Sequence, residues 1–162
     1  MHKPKPSPAI ADQILALPQA GEGKRGETGH IAYLLRQAAA AVRLKMERAL
    51  ADIDVTPPQF AVLTMIAAYP GLSNADLARL AVLTPQTVSL IVANLEHAGL
   101  LSRSPHAVHG RIQHLEPTGT GLDRLAACKE RVRTLETGLT AGLSTTDEGI
   151  VRRWLATLAV SP

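Results

Sequence analysis

Ser73-Asn74-Ala75-Asp76-Leu77-Ala78, followed closely by Thr84-Pro85-Gln86-Thr87-Val88-Ser89, decides the fold of this chain. Each segment opens on a hydroxyl that can cap a helix. Ser73 and Asp76 stand at the spacing at which a cap and an acid satisfy each other's orphan N–H groups. Thr84 is a second cap, and Pro85 falls at the first helical position, where a missing N–H costs nothing. Leu77, Leu80 and Ala81 make the first helix amphipathic, but Thr84 restarts the count, so that helix is limited to about ten residues. Val88, Ile91, Val92 and Leu95 form the apolar stripe of the second, and Gly99 stops it. Two short helices joined by a tight turn are the outline of a helix-turn-helix.

Working outward, Leu100 to Thr118 changes character, with Arg103-Ser104-Pro105, His106 to Gly110, then the alternating Arg111-Ile112-Gln113-His114-Leu115. The pattern predicts two short strands joined by a loop whose tip lies near Ala107 to Gly110, a β-wing. Thr118 caps a long helix with an apolar stripe at Leu122, Leu125, Ala126, Val132, Leu135 and Leu139. Ser144 to Glu148 offers overlapping capping boxes for a last helix whose buried stripe would be Ile150, Val151, Trp154, Leu155 and Leu158. Upstream, Thr56-Pro57-Pro58-Gln59 opens a helix with Phe60, Val62, Leu63 and Ile66 inward, halted by Pro70-Gly71. Before it, Ile31, Leu34, Leu35, Ala38, Val42, Met46, Leu50 and Ile53 recur at helical spacing. That predicts a helix of about 36 Å, longer than a small domain needs and suited to packing against a partner chain. Residues 1–27 hold four prolines, three glycines and several bases, and read as an arm, with Ile10, Ile14, Leu15 and Leu17 as a short apolar patch.

Among the 162 residues, 17 Lys and Arg face 14 Asp and Glu, a slight basic excess that leans toward an acidic partner such as DNA. One Trp, two Tyr and one Phe are too few for the stacking platforms that bind single strands. No apolar run is long enough to span a bilayer and Met1-His2-Lys3-Pro4 lacks a secretory apolar stretch, so a cytoplasmic protein without membrane contact is expected. Cys128 is the single cysteine, which excludes an intrachain disulfide. No Gly-rich phosphate loop, His-Glu-x-x-His or serine-nucleophile motif is present, and Asp52 and Asp54 stand two apart, off a shared helix face. An enzyme is therefore not expected, nor a cofactor or resident metal.

The order long helix, helix, helix-turn-helix, wing, long helix, short helix resembles the MarR family, dimeric winged-helix regulators of multiple antibiotic resistance and aromatic catabolism. The resemblance covers about residues 29 to 160. Its most specific run passes from Ser73–Ala78 and Thr84–Ser89 through Asn94-Leu95-Glu96-His97-Ala98-Gly99-Leu100-Leu101 to Gly110-Arg111 and Thr118. It implies a mainly α fold with a small β-wing, and a homodimer built from the N- and C-terminal helices. The implied division is an arm at 1–27, dimerisation helices at 28–55 and 119–162, and a winged helix-turn-helix lobe at 56–118. Two lobes would straddle a pseudo-palindromic operator in double-stranded DNA. The helix opened by Thr84 would then be the recognition helix, with Gln86, Thr87 and Ser89 near base edges and free N–H groups near phosphate. Ser73, Asn74, Pro85, Leu90, Asn94, Arg103, His106 and His109 complete the expected DNA surface. Arg111 matches the wing arginine that the family places near the minor groove.

The chain departs from many relatives in having Leu90 where they carry an arginine, Asn94 at a further basic position, and His109 in place of an aspartate beside the wing arginine. Arg79, Arg103 and Arg111 also balance Asp76, Glu96 and Glu116, so the reading segment is formally neutral. His106, His109 and His114 titrate near neutral pH and would gain charge beside phosphate, strengthening DNA binding as pH falls. Two other readings stay open: a metal-responsive regulator using those histidines, and a winged helix serving only as a protein-interaction scaffold. Cys128 is either a buried thiol or a peroxide sensor. The resemblance further implies a small, often aromatic carboxylate effector, for which His30, Tyr33, Arg36, Phe60 and Met65 are the candidate pocket residues.

Overall fold

The computed structural model describes residues 17–105 and 113–160. The chain divides into two compact units, Met1–Val42 and Arg43–Pro162, and the division falls inside the first long helix, α1 (Ile31–Leu50). In the first unit a 3-10 turn at Gly23–Arg25 precedes α1. Arg25 donates to the Pro18 carbonyl at 2.7 Å and to Gln37 Oε1 at 3.3 Å, and Thr28 Oγ1 donates to the Gly23 carbonyl at 2.8 Å. The described end of the expected arm is therefore hydrogen-bonded chain; its apolar residues Ile10, Ile14 and Leu15 lie outside the described residues.

In the second unit α1 ends at Leu50, passes into a 3-10 turn at Ala51–Ile53, and stops at Asp54 in the left-handed region (φ 55°). The helix is thus 20 residues, shorter than its periodicity suggested, because Ile53 continues the apolar spacing on a tighter turn. Next come α2 (Pro57–Ala68), α3 (Asn74–Ala81), α4 (Pro85–His97), the antiparallel pair β1 (Leu101–Pro105) and β2 (Gln113–Pro117), α5 (Gly119–Leu139) and α6 (Thr145–Val160). Thr56 and Gln59 form the capping box expected at the start of α2, with the Thr56 N–H donating to Gln59 Oε1 at 2.8 Å. Strand register pairs Leu101 with Pro117 and Ser104 with His114, so the wing strands are present; the tip between them lies outside the described residues.

The core of this unit joins Val62 and Leu63 of α2, Leu77 of α3, and Val88, Val92 and Leu95 of α4, each with essentially no exposed surface. α4 ends in a Schellman turn: Leu100 N–H returns to the Leu95 carbonyl and Gly99 N–H to the Glu96 carbonyl, both at 2.9 Å, with Gly99 at φ 69°. α5 meets this core through Gly121, Leu125 and Cys128. That corrects the expected α5 stripe: Leu122, Ala126 and Leu139 face outward. The α6 stripe is corrected too, since α6 buries no residue within one chain and Ile150, Val151, Trp154, Leu155 and Leu158 are all exposed. Helical spacing identifies an apolar face, but not which molecule covers it.

Cys128 is fully buried and burial pushes its thiol up, with the nearby Arg124 pulling the other way. A buried neutral thiol is a poor peroxide target. The end of α3 stores strain: Val82, 89 % exposed, takes the left-handed conformation at φ 56°. For a β-branched residue this costs about 1–2 kcal/mol, against roughly 0.5–1 kcal/mol of extra chain freedom for glycine. Val82→Gly is accordingly expected to raise stability by about 0.5–1 kcal/mol in urea denaturation; a loss would mean that the valine makes a compensating contact.

Candidate nucleic-acid interface

The surface is organised by two helix starts. Ser73 Oγ accepts from the Asp76 N–H at 3.2 Å and donates to Asp76 Oδ2 at 2.6 Å, while the Ser73 N–H donates to the same carboxylate. The Ser73 hydroxyl, together with the Arg79 guanidinium, holds the Asp76 carboxyl below the usual carboxylate range. Thr84 Oγ1 accepts from the Thr87 N–H at 3.2 Å, and the two threonine hydroxyls are 2.8 Å apart. With Pro85 at the first position, α4 begins sharply and crosses α3 at 105°, within the range of helix-turn-helix pairs.

A side-chain link fixes this angle: Asn74 Nδ2 donates to Ser89 Oγ at 3.2 Å, and Ser89 Oγ donates to the Pro85 carbonyl at 3.0 Å. Because Val88, Ile91, Val92 and Leu95 pack inward, the opposite face is left to Gln86, Ser89, Leu90, Ala93, Asn94 and His97, all exposed. Of the expected contacts, the structure brings Gln86, Ser89, Leu90 and Asn94 onto one stripe. The hydroxyls of Ser73, Thr84 and Thr87 are occupied in capping, so what those positions offer a phosphate is chiefly helix N-terminal N–H groups. Sequence reasoning passed over Ala93 and His97, although counting three and four residues onward from Gln86 reaches both.

The neutrality of the segment has a structural form. Arg103 on β1 makes a two-point ion pair with Glu96 at the end of α4, at 2.5 and 2.9 Å, and Arg79 pairs with Asp76. The Arg103–Glu96 bond ties wing to helix while satisfying the cation within the protein. His114 sits against Gly71, whose added Cβ would lie 3.2 Å from the ring. His106, His109 and Arg111 lie outside the described residues. Among the described residues no cluster of three His, Cys, Asp or Glu is arranged to hold a metal ion, and no single helix is long and apolar enough to cross a membrane.

The expected effector residues fall in both units. In the first, His30 directly precedes α1 and the Arg36 guanidinium lies 5.6 Å from the centroid of the Tyr33 ring. In the second, Phe60 and Met65 are half-buried against the core. The second unit also contains a cleft of ≈ 460 Å³ lined by Arg48, Asp52, Arg131 and Thr134, in which Arg131 is paired to Asp52 at 2.5 Å.

Comparison with known proteins places this architecture. The MarR family model matches residues 55–112, which span α2 to the wing. The HTH-type transcriptional repressor Rv2887 of Mycobacterium tuberculosis is 31 % identical over 128 residues, covering 79 % of this chain and 92 % of the repressor. The crystal structure of Rv2887 in complex with salicylic acid superposes with a TM-score of 0.68 at 30 % identity, covering 82 % of this chain and 98 % of that one. The transcriptional repressor CouR, bound to a 23-mer DNA duplex, gives a TM-score of 0.74 at 28 % identity, over 85 % of this chain and 96 % of its own. With a winged helix-turn-helix in the order read from its caps, and a relative matched along most of both chains, this protein belongs to the MarR family.

Proposed function

We propose that the protein is a sequence-specific, double-stranded DNA-binding transcriptional repressor that acts in the cytoplasm as a homodimer and is released by a small aromatic effector. The observation that carries this reading is the outward stripe of α4. It is a 13-residue helix, capped at its start and set across α3, whose exposed face carries hydrogen-bonding side chains with no core role. A helix of this kind fits the major groove, where Gln86 can pair with adenine in two hydrogen bonds. Residues 56–118 would form the reading lobe, and residues 28–55 and 119–162 the dimer contacts. Family support comes from CouR, which is bound to a DNA duplex, and from Rv2887, which is bound to salicylic acid. An effector that prefers the dimer whose lobes are mis-spaced for successive major grooves shifts the population away from DNA.

Selection from a randomised duplex library, followed by gel shifts at low and high salt, tests the reading. One enriched palindromic site is expected, and its affinity should fall when salicylate-like acids are added. Gln86→Ala should cost about 1–3 kcal/mol and relax preference at one base pair, whereas Arg111→Ala should weaken all sites more evenly. No enrichment would favour the interaction-scaffold alternative, and unchanged affinity across the panel of acids would remove the effector.

A further inference from the structure

We infer that Leu90 is a base-reading residue of α4, seating the C5-methyl group of a thymine, and that α4 therefore selects an A·T-centred half-site. The inference rests on the DNA-binding reading above and adds which bases the helix recognises.

Leu90 is 64 % exposed at the middle of the outward stripe, flanked by Gln86 one turn before and Asn94 one turn after. A single exposed leucine needs no explanation in general; its neighbours give this one a meaning. Gln86 and Asn94 carry amides, the side chains whose paired donor and acceptor match adenine N6 and N7. They stand eight residues apart, about 12 Å along the helix, or between about three and four base-pair steps. Between them Leu90, with Ala93 beside it, forms an apolar patch, next to which the Ser89 hydroxyl is turned back onto the Pro85 carbonyl. The apolar feature available in the major groove is the thymine methyl, the partner base of the adenines that the amides prefer. The usual reader of guanine O6 and N7 is a Lys or Arg, and α4 contains neither from Pro85 to His97. Arg103, on the wing strand β1, is held by Glu96. Gln86, Leu90 and Asn94 are thus chemically matched to A·T pairs.

The test replaces thymine by deoxyuridine at each T of the half-site selected from the randomised duplex library, which removes the methyl and leaves every hydrogen-bonding group in place. With the wild-type protein, one T-to-dU position in each half-site should lower affinity about fourfold per methyl, as expected for one buried methyl-sized group. With Leu90→Ala that penalty should shrink toward onefold while binding to the rest of the site persists. A selected site without thymine at its centre, or equal affinity for T and dU duplexes, overturns the assignment of Leu90 and leaves DNA recognition standing. A penalty that Leu90→Ala leaves unchanged also overturns it, because another residue must then hold the methyl. If the library yields no enriched duplex, the DNA-binding reading itself falls, and this inference with it.

Discussion

Trp154→Glu is expected to convert the protein to monomers and to reduce affinity for a palindromic operator by at least about a hundredfold. α6 buries nothing within its own chain, yet Ile150, Val151, Trp154, Leu155 and Leu158 fall on adjoining helical positions, each between 39 % and 51 % exposed. Leu139 at the end of α5 and Leu143 in the following turn add to the apolar surface. A continuous face of this kind, on a helix whose start is capped by Ser144, is the mark of an interface rather than of scattered surface residues. Trp154 is its largest side chain, and buried tryptophans commonly dominate binding energy. A carboxylate there would have to be desolvated without a partner on each of two symmetry-related faces. The lobes should fold as before, since no residue of α6 belongs to their core; what is lost is the second half-site contact, and with it the avidity. Sedimentation velocity and gel shifts on the selected duplex check this together. A variant that stays dimeric, or a monomer that binds undiminished, would refute the assignment of α6.

Gly121→Ala should destabilise the winged lobe by about 3 kcal/mol or more, the upper range for forced overpacking. A Cβ at this position would lie 2.0 Å from the Leu100 carbonyl oxygen and 2.9 Å from the carbonyl carbon, and neither is a flexible side-chain end that can swing away. The two segments are pinned together by Thr118. Its N–H donates to the same Leu100 carbonyl at 3.1 Å, its hydroxyl donates to the Gly99 carbonyl at 2.7 Å, and that hydroxyl also accepts from the Gly121 N–H at 3.0 Å. Accommodating the methyl means pulling α5 off the end of α4, which strips the Schellman turn of its neighbour. Urea denaturation of the two proteins at equal concentration measures the loss; a difference under about 1 kcal/mol would mean that the helix start shifts cheaply.

Much of this architecture is legible in the sequence because it is written in short-range chemistry. Ser73 with Asp76, Thr84 with Pro85, Thr56 with Gln59 and Gly99 after the last turn each act within a few residues, and each is found where the caps place it. The inward stripe Val88, Ile91, Val92, Leu95 follows from helical period, and the outward face is its complement. What escaped reading depends on long-range or intermolecular contacts. Nothing in the spacing of Ile150 and Trp154 says that the chain itself leaves this face uncovered. The pairing of Arg103 with Glu96 joins a strand to a helix around the turn at Gly99, so formal charge counting found neutrality without finding which charges meet. The inward turn of Gly121 rather than Leu122 is set by the approach of α5 to Leu100.

The ion pairs that quench Arg79 and Arg103 bear on how such a regulator is partitioned in a cell. Chromosomal DNA is an enormous reservoir of sites competing through phosphate attraction alone, and a lobe that displaces few counterions is held by that reservoir weakly. A larger share of the copies then remains free to sample its target, so occupancy can be kept with a small number of molecules and responds promptly when the pool changes.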